Sequence, residues 1–428
     1  MIYGILQNVF VVLALSWWIL LPLALFFIFW QMWLTHVYIQ YLRSQKWVLL
    51  NIKIPENIEK TPKAMEQVFA AVYQIYSFGL RPKQMYWEGK LREDFISFEI
   101  VGTAGGVYFQ IRTQTQYRNI LESAIYAQYP DAEIAEGFDH TTLFPKTLPN
   151  KIYDFFGADY HLVKEDGYPI RTYEYFEESV KEKRLDPIAS ITEVMSKLKE
   201  GEMLWIQVMV RPTDNAWQKK GEELRDKLAG RKKAKKPRGI LAKLGEWVKN
   251  FARAPVGLPE WMSEEKPVKE NTLMLLTPGE KEVLEAVEEK ISKLGFETNI
   301  RFLFIDRRDS FSPLNISATM STFNQFNTSN MNSFRPNLDT ITLAVGISNP
   351  IWRTLVLSIP FLKKRFVWYR KRRMWESFKK LYWPRKKSVL NIEELATVYH
   401  FPAIMVSAPL LRRVATRKGE PPAGLPTE

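Results

Sequence analysis

Few residues of this 428-residue sequence have the types and spacing that catalysis requires. Asp159 and His161 offer two ligands to a metal ion, but no third or fourth ligand is spaced nearby, as a zinc site requires. The absence of cysteine excludes disulfides, thiolate metal sites and cysteine nucleophiles. Gly89-Lys90 lacks the upstream glycine of a phosphate-binding loop, and the sequence has no Gly-x-Ser-x-Gly elbow. We therefore predict a protein that is not an enzyme, with no catalytic residue, no metal and no cofactor.

Basic residues are concentrated in two segments whose chemistry suits the binding of anions. The chain carries 60 Lys and Arg against 47 Asp and Glu, a net charge of +13. Six of these cations lie in residues 231–238 (RKKAKKPR), and twelve lie in residues 363–387 with Glu376 as the single acid. The rest of the chain is therefore slightly acidic. This distribution indicates a body held against an anionic membrane at two places, rather than a surface that coats nucleic acid.

Aromatic residues interleave with the cations of 363–387, and two kinds of ligand explain such a pattern. Amphipathic rings between cations suit the headgroup layer of a bilayer, and they equally suit stacking on single-stranded nucleic acid. Anionic lipid and nucleic acid therefore both stay open as partners. The residues predicted to contact one or the other are Lys232, Lys233, Lys235, Lys236, Arg370, Lys371, Arg372, Arg373, Trp375, Lys379 and Lys380.

The apolar start of the chain must position these basic segments relative to a membrane. Residues 1–42 contain no Asp, Glu, Lys or Arg, and a helix of this length crosses a bilayer core of about 30 Å. Basic residues follow the segment and none precedes it, which places the rest of the chain in the cytoplasm. We predict a single-pass anchor of the cytoplasmic (inner) membrane over residues 1–45. Its interface residues are predicted to be Trp17, Trp18, Trp30, Trp33, Arg43 and Lys46.

The order of periodic segments in residues 46–145 predicts an α+β module. Alternating apolar residues predict strands at 47–54, 96–100, 107–111 and 132–134. Helical stripes lie between the first two strands and between the last two. The resulting order, β-α-β-β-α-β, is that of a ferredoxin-like module.

A related order returns in residues 146–310, which we interpret as a second ferredoxin-like module. Its strands are predicted at 160–163, 170–175, 203–210 and 298–304. A capping box, Thr277 to Glu280, predicts the start of its last helix. A charged insertion at 213–270 interrupts the module. Its amphipathic stretch 240–251 is equally compatible with a helix packed on the body and with one in the headgroup layer.

The remaining residues are predicted to form two further regions. Residues 311–387 contain an Asn-rich loop, an apolar hairpin and the basic-aromatic segment. Asn349-Pro350 and Arg353 interrupt the apolar stretch 341–362, which favours a buried hairpin or a re-entrant piece over a second membrane span. Residues 388–428 are predicted to form a helix and a C-terminal tail.

Five stretches carry a resemblance to a known family. They are FISFEIVGTAGGVYFQIRTQTQYRNILESAIYAQYPDAEI at 95–134, DPIASITEVMSKLKEGEMLWIQVMVRP at 186–212, GFETNIRFLFIDRRDSFSPLNISATMSTFNQFN at 295–327, LNIEELATVYHFP at 390–402 and RRVATRKGEPPAGLP at 412–426. Together they resemble the membrane-anchored, non-ATPase portion of HerA-like ATPases from type IV secretion and conjugation-like systems. Relatives typically continue past the last stretch into a motor domain with a Walker A loop, whereas this sequence ends at Glu428.

The resemblance implies a function in translocation across an envelope. On that basis we expect a non-enzymatic scaffold that works with a separately encoded HerA-like ATPase, with the tail after Pro402 as the docking arm. The alternative is a membrane-tethered component that guides single-stranded nucleic acid. Self-association of the chain stays open, as does the nature of the transported substrate.

Overall fold

Apolar and polar residues alternate along most of the strands, and the strands join into one sheet. In the computed structural model the described residues are 2–55, 60–76, 80–90, 92, 94–176, 186–230, 276–345, 347, 350–402 and 413–414, of which 2–17 and 413–414 are described by their backbone alone. The chain is a mixed α+β protein with one N-terminal apolar helix, as predicted. The predicted contacts Lys232, Lys233, Lys235 and Lys236, the amphipathic stretch 240–251 and most of the C-terminal tail lie outside the described residues.

The sheet contains ten strands within the described residues, and nearly all neighbours are antiparallel. In space the strands follow the order β10-β1-β3-β2-β6-β7-β5-β8, with β4 also paired to β1 and β9 to β7. The strands are β1 (Trp47–Pro55), β2 (Ile96–Thr103), β3 (Gly106–Gln114), β4 (Glu133–Glu136), β5 (Tyr153–Leu162), β6 (Met203–Pro212), β7 (Gly295–Arg307), β8 (Phe334–Pro336), β9 (Ser388–Asn391) and β10 (Arg413–Val414).

Eleven described helices accompany the sheet, and their starts follow local sequence signals. For example, Thr277 and Glu280 form the predicted capping box, in which each side chain accepts a hydrogen bond from the other residue's backbone N–H. The helices are α1 (Ile2–Ser44), α2 (Lys63–Val72), α3 (Pro82–Tyr86), α4 (Arg118–Gln128), α5 (Ala189–Ser196), α6 (Ala216–Leu228), α7 (Pro278–Ser292), α8 (Pro313–Thr322), α9 (Pro350–Ser358), α10 (Pro360–Lys379) and α11 (Ile392–Val398).

The two faces of the sheet are covered differently. One face carries the larger core, in which α2, α4, α5 and α11 pack their apolar residues on the strands. The other face is covered by the end of α10, where Met374, Trp375 and Phe378 pack against Phe155 and Trp205. Because the side chains of a strand alternate between faces, a helix on each face buries both sets of apolar residues. The basic helix α10 is therefore a structural layer of the fold.

Residues 170–175 do not form the strand that the sequence predicted. Tyr173–Phe176 is a short 3₁₀ turn instead. Two backbone donors of residues 170–175 pair with side chains of α11, since Ile170 N–H donates to Glu394 (2.8 Å) and Tyr173 N–H donates to Thr397 (2.9 Å), and Arg171 N–H donates to the carbonyl oxygen of Phe326 (3.0 Å). A segment whose amides are paired in this way has no need of a neighbouring strand. The sequence predicted residues 298–304 as the last strand of the second module. They belong to β7, which lies inside the sheet, and β8 and β9 follow it in the chain.

A row of polar side chains crosses six adjacent strands on the face that α10 covers. Each member lies directly opposite the next in the strand register, and all but Asn51 are buried. The row consists of Asn51, Gln110, Glu99, Gln207, Arg301 and Asp159. Hydrogen bonds connect its last four members, from Glu99 through Gln207 and Arg301 to Asp159. The polar row thus crosses the β2–β6 junction between the two halves of the sheet.

Arg301 has the largest number of partners in the polar row. Its Nε lies 2.7 Å from Oδ1 of Asp159, and both side chains are almost fully buried. Its Nη1 and Nη2 donate to the carbonyl oxygens of Ser377 (2.8 Å) and Tyr382 (2.9 Å), at the end of α10 and just beyond it. One guanidinium therefore ties β5 and β6 to the helix that covers them.

We expect Arg301→Met to lower the free energy of unfolding by about 3–5 kcal/mol, because it leaves the Asp159 carboxylate buried without its cation. Denaturant unfolding of the full chain in detergent, followed by tryptophan fluorescence, measures the loss. The double variant Arg301→Met/Asp159→Leu should recover part of it, since no buried charge is then left unpaired. Arg335→Met, at an exposed position of β8, is the control and should change the free energy by no more than about 0.5 kcal/mol. Equal losses in Arg335→Met and Arg301→Met would contradict this account.

Candidate functional site

Within the described residues, α1 is the one helix that is long and apolar enough to cross a membrane. Within its segment Trp18–Ser44, the most apolar window of 18 residues has a mean hydropathy of 1.8, and none of the residues in that window is buried in the protein. Large apolar side chains such as Leu25, Phe27 and Phe29 are more than half exposed. An exposed apolar surface of this size is typical of a segment that contacts a membrane or another protein.

The body holds the last turns of α1 through an aromatic cluster. The ring of Trp30 lies 5.5 Å from that of Tyr86, and the ring of Trp33 lies 5.8 Å from that of Trp87. Trp33 Nε1 also donates to the carbonyl oxygen of Tyr86 (3.1 Å). We name Trp30, Trp33, Tyr86 and Trp87 the aromatic clamp. Tryptophan and tyrosine are residue types that favour a membrane–water interface.

Asp94 makes a second, polar link between α1 and the body. Its carboxylate accepts hydrogen bonds from Tyr41 of α1 (2.6 Å), Gln114 of β3 (3.0 Å) and Tyr117 (2.7 Å). Lys90 Nζ lies 2.9 Å from the same carboxylate. Burial alone would raise the pKa of the Asp94 carboxyl, but these four partners hold the pKa below its ordinary value. Asp94 is therefore ionised at neutral pH and fixes α1 to the start of the sheet.

The predicted anchor residues have different surroundings. Trp30 and Trp33 belong to the aromatic clamp, whereas Trp18 is 61% exposed and the side chain of Trp17 lies outside the described residues. Arg43, in the last turn of α1, and Lys46, just after it, are exposed. The sequence interpretation missed Tyr86 and Trp87. Their position shortly after Arg81 and Lys83 was the available signal, because aromatic and basic residues together are typical of an interface.

The cations of α10 divide into two groups along the helix. Arg370 donates through Nη1 to the carbonyl oxygens of Leu338, Ile341 and Leu343, and Lys371 pairs with Asp154 (2.6 Å). These two predicted contacts therefore bind the protein itself. By contrast, Lys363, Lys364 and Arg365 at the start of the helix and Arg373 in its middle are exposed.

The remaining predicted contacts in this helix lie on or near aromatic rings. Trp375 is 1% exposed and donates through Nε1 to the carbonyl oxygen of Lys146, so it is a core residue and its ring is unavailable to lipid or nucleic acid. Its burial follows from helical spacing, since Met374, Trp375 and Phe378 share one face. Arg372 lies over the ring of Trp368, Lys379 over that of Trp375, and Lys380 pairs with Glu376 (3.5 Å).

Glu99, a member of the polar row, forms a buried pair with His140. His140 Nε2 lies 3.8 Å from Oε2 of Glu99, and neither atom has a hydrogen-bond partner. The other ring nitrogen, Nδ1, is hydrogen bonded to Gln110 (2.9 Å). Burial lowers the pKa of His140 to about 4, an effect that outweighs the attraction of the Glu99 carboxylate. The imidazole is therefore neutral at pH 7. Because His140 Nε2 and Glu99 Oε2 are both shielded from solvent, a substrate cannot reach them.

Two further groups of side chains could bind an anion or a cation, but other residues of the protein already neutralise the charge of both groups. A surface pocket of about 280 Å³ between β1 and residues 136–139 contains Arg112, but its guanidinium pairs with Asp139 (3.1 Å) and Glu99 (3.4 Å). Elsewhere in the described residues, Glu174, Glu289 and Glu393 are close enough to share a cation. Lys293 pairs with Glu289 and Glu393 and supplies that charge.

Comparison with known proteins identifies the family of the chain. A family model described as "Domain of unknown function (DUF8128)" matches residues 34–405. The chain belongs to the DUF8128 family. No curated protein matches it. The DUF8128 match includes Tyr41, Asp94 and the whole of α10, so the polar link between helix and body lies inside the matched residues, whereas Trp30 and Trp33 precede them.

Gly89 permits the close approach of α1, and we expect Gly89→Ala to separate α1 from the body. An added Cβ would lie 2.2 Å from the carbonyl oxygen of Val37, and Gly89 has a φ of +77°. The strained backbone and the clash should cost about 1–3 kcal/mol. Hydrogen exchange of the full chain in detergent should show faster exchange in residues 33–44. Gly279→Ala is the control, because its Cβ would meet no atom within 4 Å. Unchanged exchange in Gly89→Ala would contradict the close packing.

The buried His140 predicts acid sensitivity. Its pKa is about 4 in the folded chain and 6.5 when unfolded, so between these values only the unfolded chain binds the proton. The free energy of unfolding should therefore fall as the pH drops from 6.5 towards 4. Over this range the wild type should lose about 3 kcal/mol more than His140→Gln, measured by denaturant unfolding. His36→Gln, at an exposed position of α1, should follow the wild type. Parallel curves for the wild type and His140→Gln would refute the assignment.

Proposed function

We propose that the chain is a non-enzymatic scaffold of the cytoplasmic membrane, with α1 as its single span and its body in the cytoplasm. The supporting observation is the double link between α1 and the sheet, through the aromatic clamp and through Asp94. An enzyme that only needs to be near a membrane is served by a flexible tether. A fixed link transmits the orientation of the membrane to the body, which an assembly platform requires.

The side of the membrane follows from charge. Arg43 and Lys46 are exposed where α1 ends, and basic residues next to a span favour the cytoplasmic side. The exposed cations at the start of α10 add to the attraction towards anionic lipid.

The strand order supports the proposal of two ferredoxin-like modules. β4-β1-β3-β2 pair in one half of the sheet and β6-β7-β5-β8 in the other. Numbered within each half, both orders are 4-1-3-2, and the two second strands, β2 and β6, pair antiparallel at the junction. We propose that the halves are duplicated modules, the second of which extends to β8 and contains α6 and α7 as an insertion.

Within this framework the chain would belong to a type IV secretion- or conjugation-like translocation system and work with a separately encoded HerA-like ATPase. The support for this part is the sequence resemblance. The second candidate is a component that guides single-stranded nucleic acid, and the exposed rings of Trp368 and Tyr369 next to Arg372 and Arg373 favour it.

A pull-down of the tagged chain from native membranes in mild detergent tests the proposal. We expect mass spectrometry to identify a P-loop ATPase among the co-purified proteins and to lose it when the chain is truncated after Pro402. An untagged strain and a tagged, unrelated single-span protein are the controls. The absence of an ATPase in every sample would contradict the translocation proposal. Co-purified nucleic acid that disappears in Arg372→Glu/Arg373→Glu would support the guiding function instead.

A further inference from the structure

The α9–α10 hairpin exposes a cluster of large apolar side chains that the body does not cover. We name residues 350–362 the apolar tip. Among the residues of α9, Val356 is buried, whereas Ile351 is 78% exposed and Phe361, at the start of α10, is 68% exposed. The other large exposed apolar residues of the tip are Trp352, Leu355, Leu357 and Ile359. Clusters of this kind mark a surface that binds a partner or a membrane.

The apolar tip projects from the body because α10 is held at its opposite end. Met374, Trp375 and Phe378 pack on the sheet, and Arg370 holds the loop that contains Leu338 and Leu343. At 1.5 Å per residue, Phe361 lies about 20 Å along the helix from Met374. The tip therefore lies at the end of the helix away from these contacts, and its large apolar side chains are exposed.

The charges around the apolar tip fit an anionic bilayer. No Asp or Glu occurs between Asp339 and Glu376, while Arg353, Lys363, Lys364 and Arg365 are exposed within the tip or next to it. An apolar surface bordered by cations, with the amphipathic rings of Trp352 and Trp368, is the composition of a segment that lies in the headgroup layer. A protein partner would have to match the apolar surface and also supply several acidic groups.

The same bilayer is within reach because the far end of α10 lies next to the exit of α1. Trp383, just after α10, has its ring 5.6 Å from that of Phe95, which in turn lies 5.1 Å from Trp47 at the start of β1. β1 begins three residues after the end of α1. A helix of 20 residues is about 30 Å long, so the apolar tip stays within a few tens of ångström of the membrane-exit point.

We propose that the apolar tip inserts into the interfacial layer of the anionic bilayer that α1 crosses, as a second membrane contact of the chain. The inference rests on the proposed function, in which α1 is embedded in that bilayer. Two contact points define a line in the membrane plane. They therefore prevent the body from rotating about the axis of α1 and fix which edge of the sheet faces the membrane.

The native chain contains no cysteine, so single cysteines can be labelled with an environment-sensitive fluorophore. The full chain carrying Phe361→Cys is labelled and reconstituted into liposomes of phosphatidylcholine and phosphatidylglycerol that contain nitroxide-labelled lipid. Leu25→Cys, on the apolar part of α1, reports whether the anchor is embedded. Glu285→Cys, exposed on α7, reports a position in water. Lipid nitroxide and aqueous iodide are the two quenchers.

We expect lipid nitroxide to quench the probe at Phe361→Cys several-fold more than that at Glu285→Cys, and iodide to show the reverse. The nitroxide quenching should fall several-fold in liposomes of phosphatidylcholine alone. If the probe at Leu25→Cys is quenched by lipid nitroxide while that at Phe361→Cys behaves like Glu285→Cys, the second contact is refuted and the anchor stands. If Leu25→Cys is not quenched, the proposed function itself fails. Protection of Phe361→Cys from both quenchers would also refute lipid insertion and indicate a second protein chain as the occupant.

Discussion

The buried ion pair of Arg301 and Asp159 is the interaction on which the arrangement of the described chain depends. Its two charges lie in the middle of the sheet, where water does not solvate them, so the partners of Arg301 must all be in place. Those partners are side chains of β5 and β6 and the carbonyl oxygens at the end of α10. Since Trp383, just after α10, lies beside Phe95, which contacts Trp47 at the start of β1, the same guanidinium also helps to place the basic helix relative to the end of α1.

The link between α1 and the body also depends on a buried charged group. Asp94 is buried and ionised, but it has four hydrogen-bonding partners, and one of them, Tyr41, is the single contribution of α1. The aromatic clamp adds ring contacts of Trp30 with Tyr86 and of Trp33 with Trp87. Exposed ion pairs such as Lys83–Glu88, at 3.9 Å, contribute little by comparison. Orientation is therefore encoded in a few buried groups and is insensitive to the surface charges around them.

Features that depend on local pattern were predictable from the sequence, and features that depend on register were not. The apolar helix, the alternating strands β2 and β3 and the capping box at Thr277 follow from neighbouring residues. The polar row does not, because its members are spread from Asn51 to Arg301 and only the strand pairing brings them together. The strand predicted at 170–175 failed for a related reason, since side chains of α11, more than 200 residues away, pair with two of its amides. Tyr86 and Trp87, which contact α1, gave a local signal that was overlooked.

The charge of a segment measures its affinity for anions only after the internal partners of its cations are known. In α10, Arg370 and Lys371 are bound to carbonyl oxygens and to Asp154, and the ring of Trp375 is in the core. The cations that remain exposed lie mainly at the start of the helix, next to the apolar tip. The helix is thus divided along its length, with one end in the core and the other end carrying exposed charge beside exposed apolar surface. A helix that binds a nucleic-acid strand requires cations along the whole path of the strand's backbone. The uneven distribution of exposed charge along α10 therefore favours the proposed membrane contact at the tip.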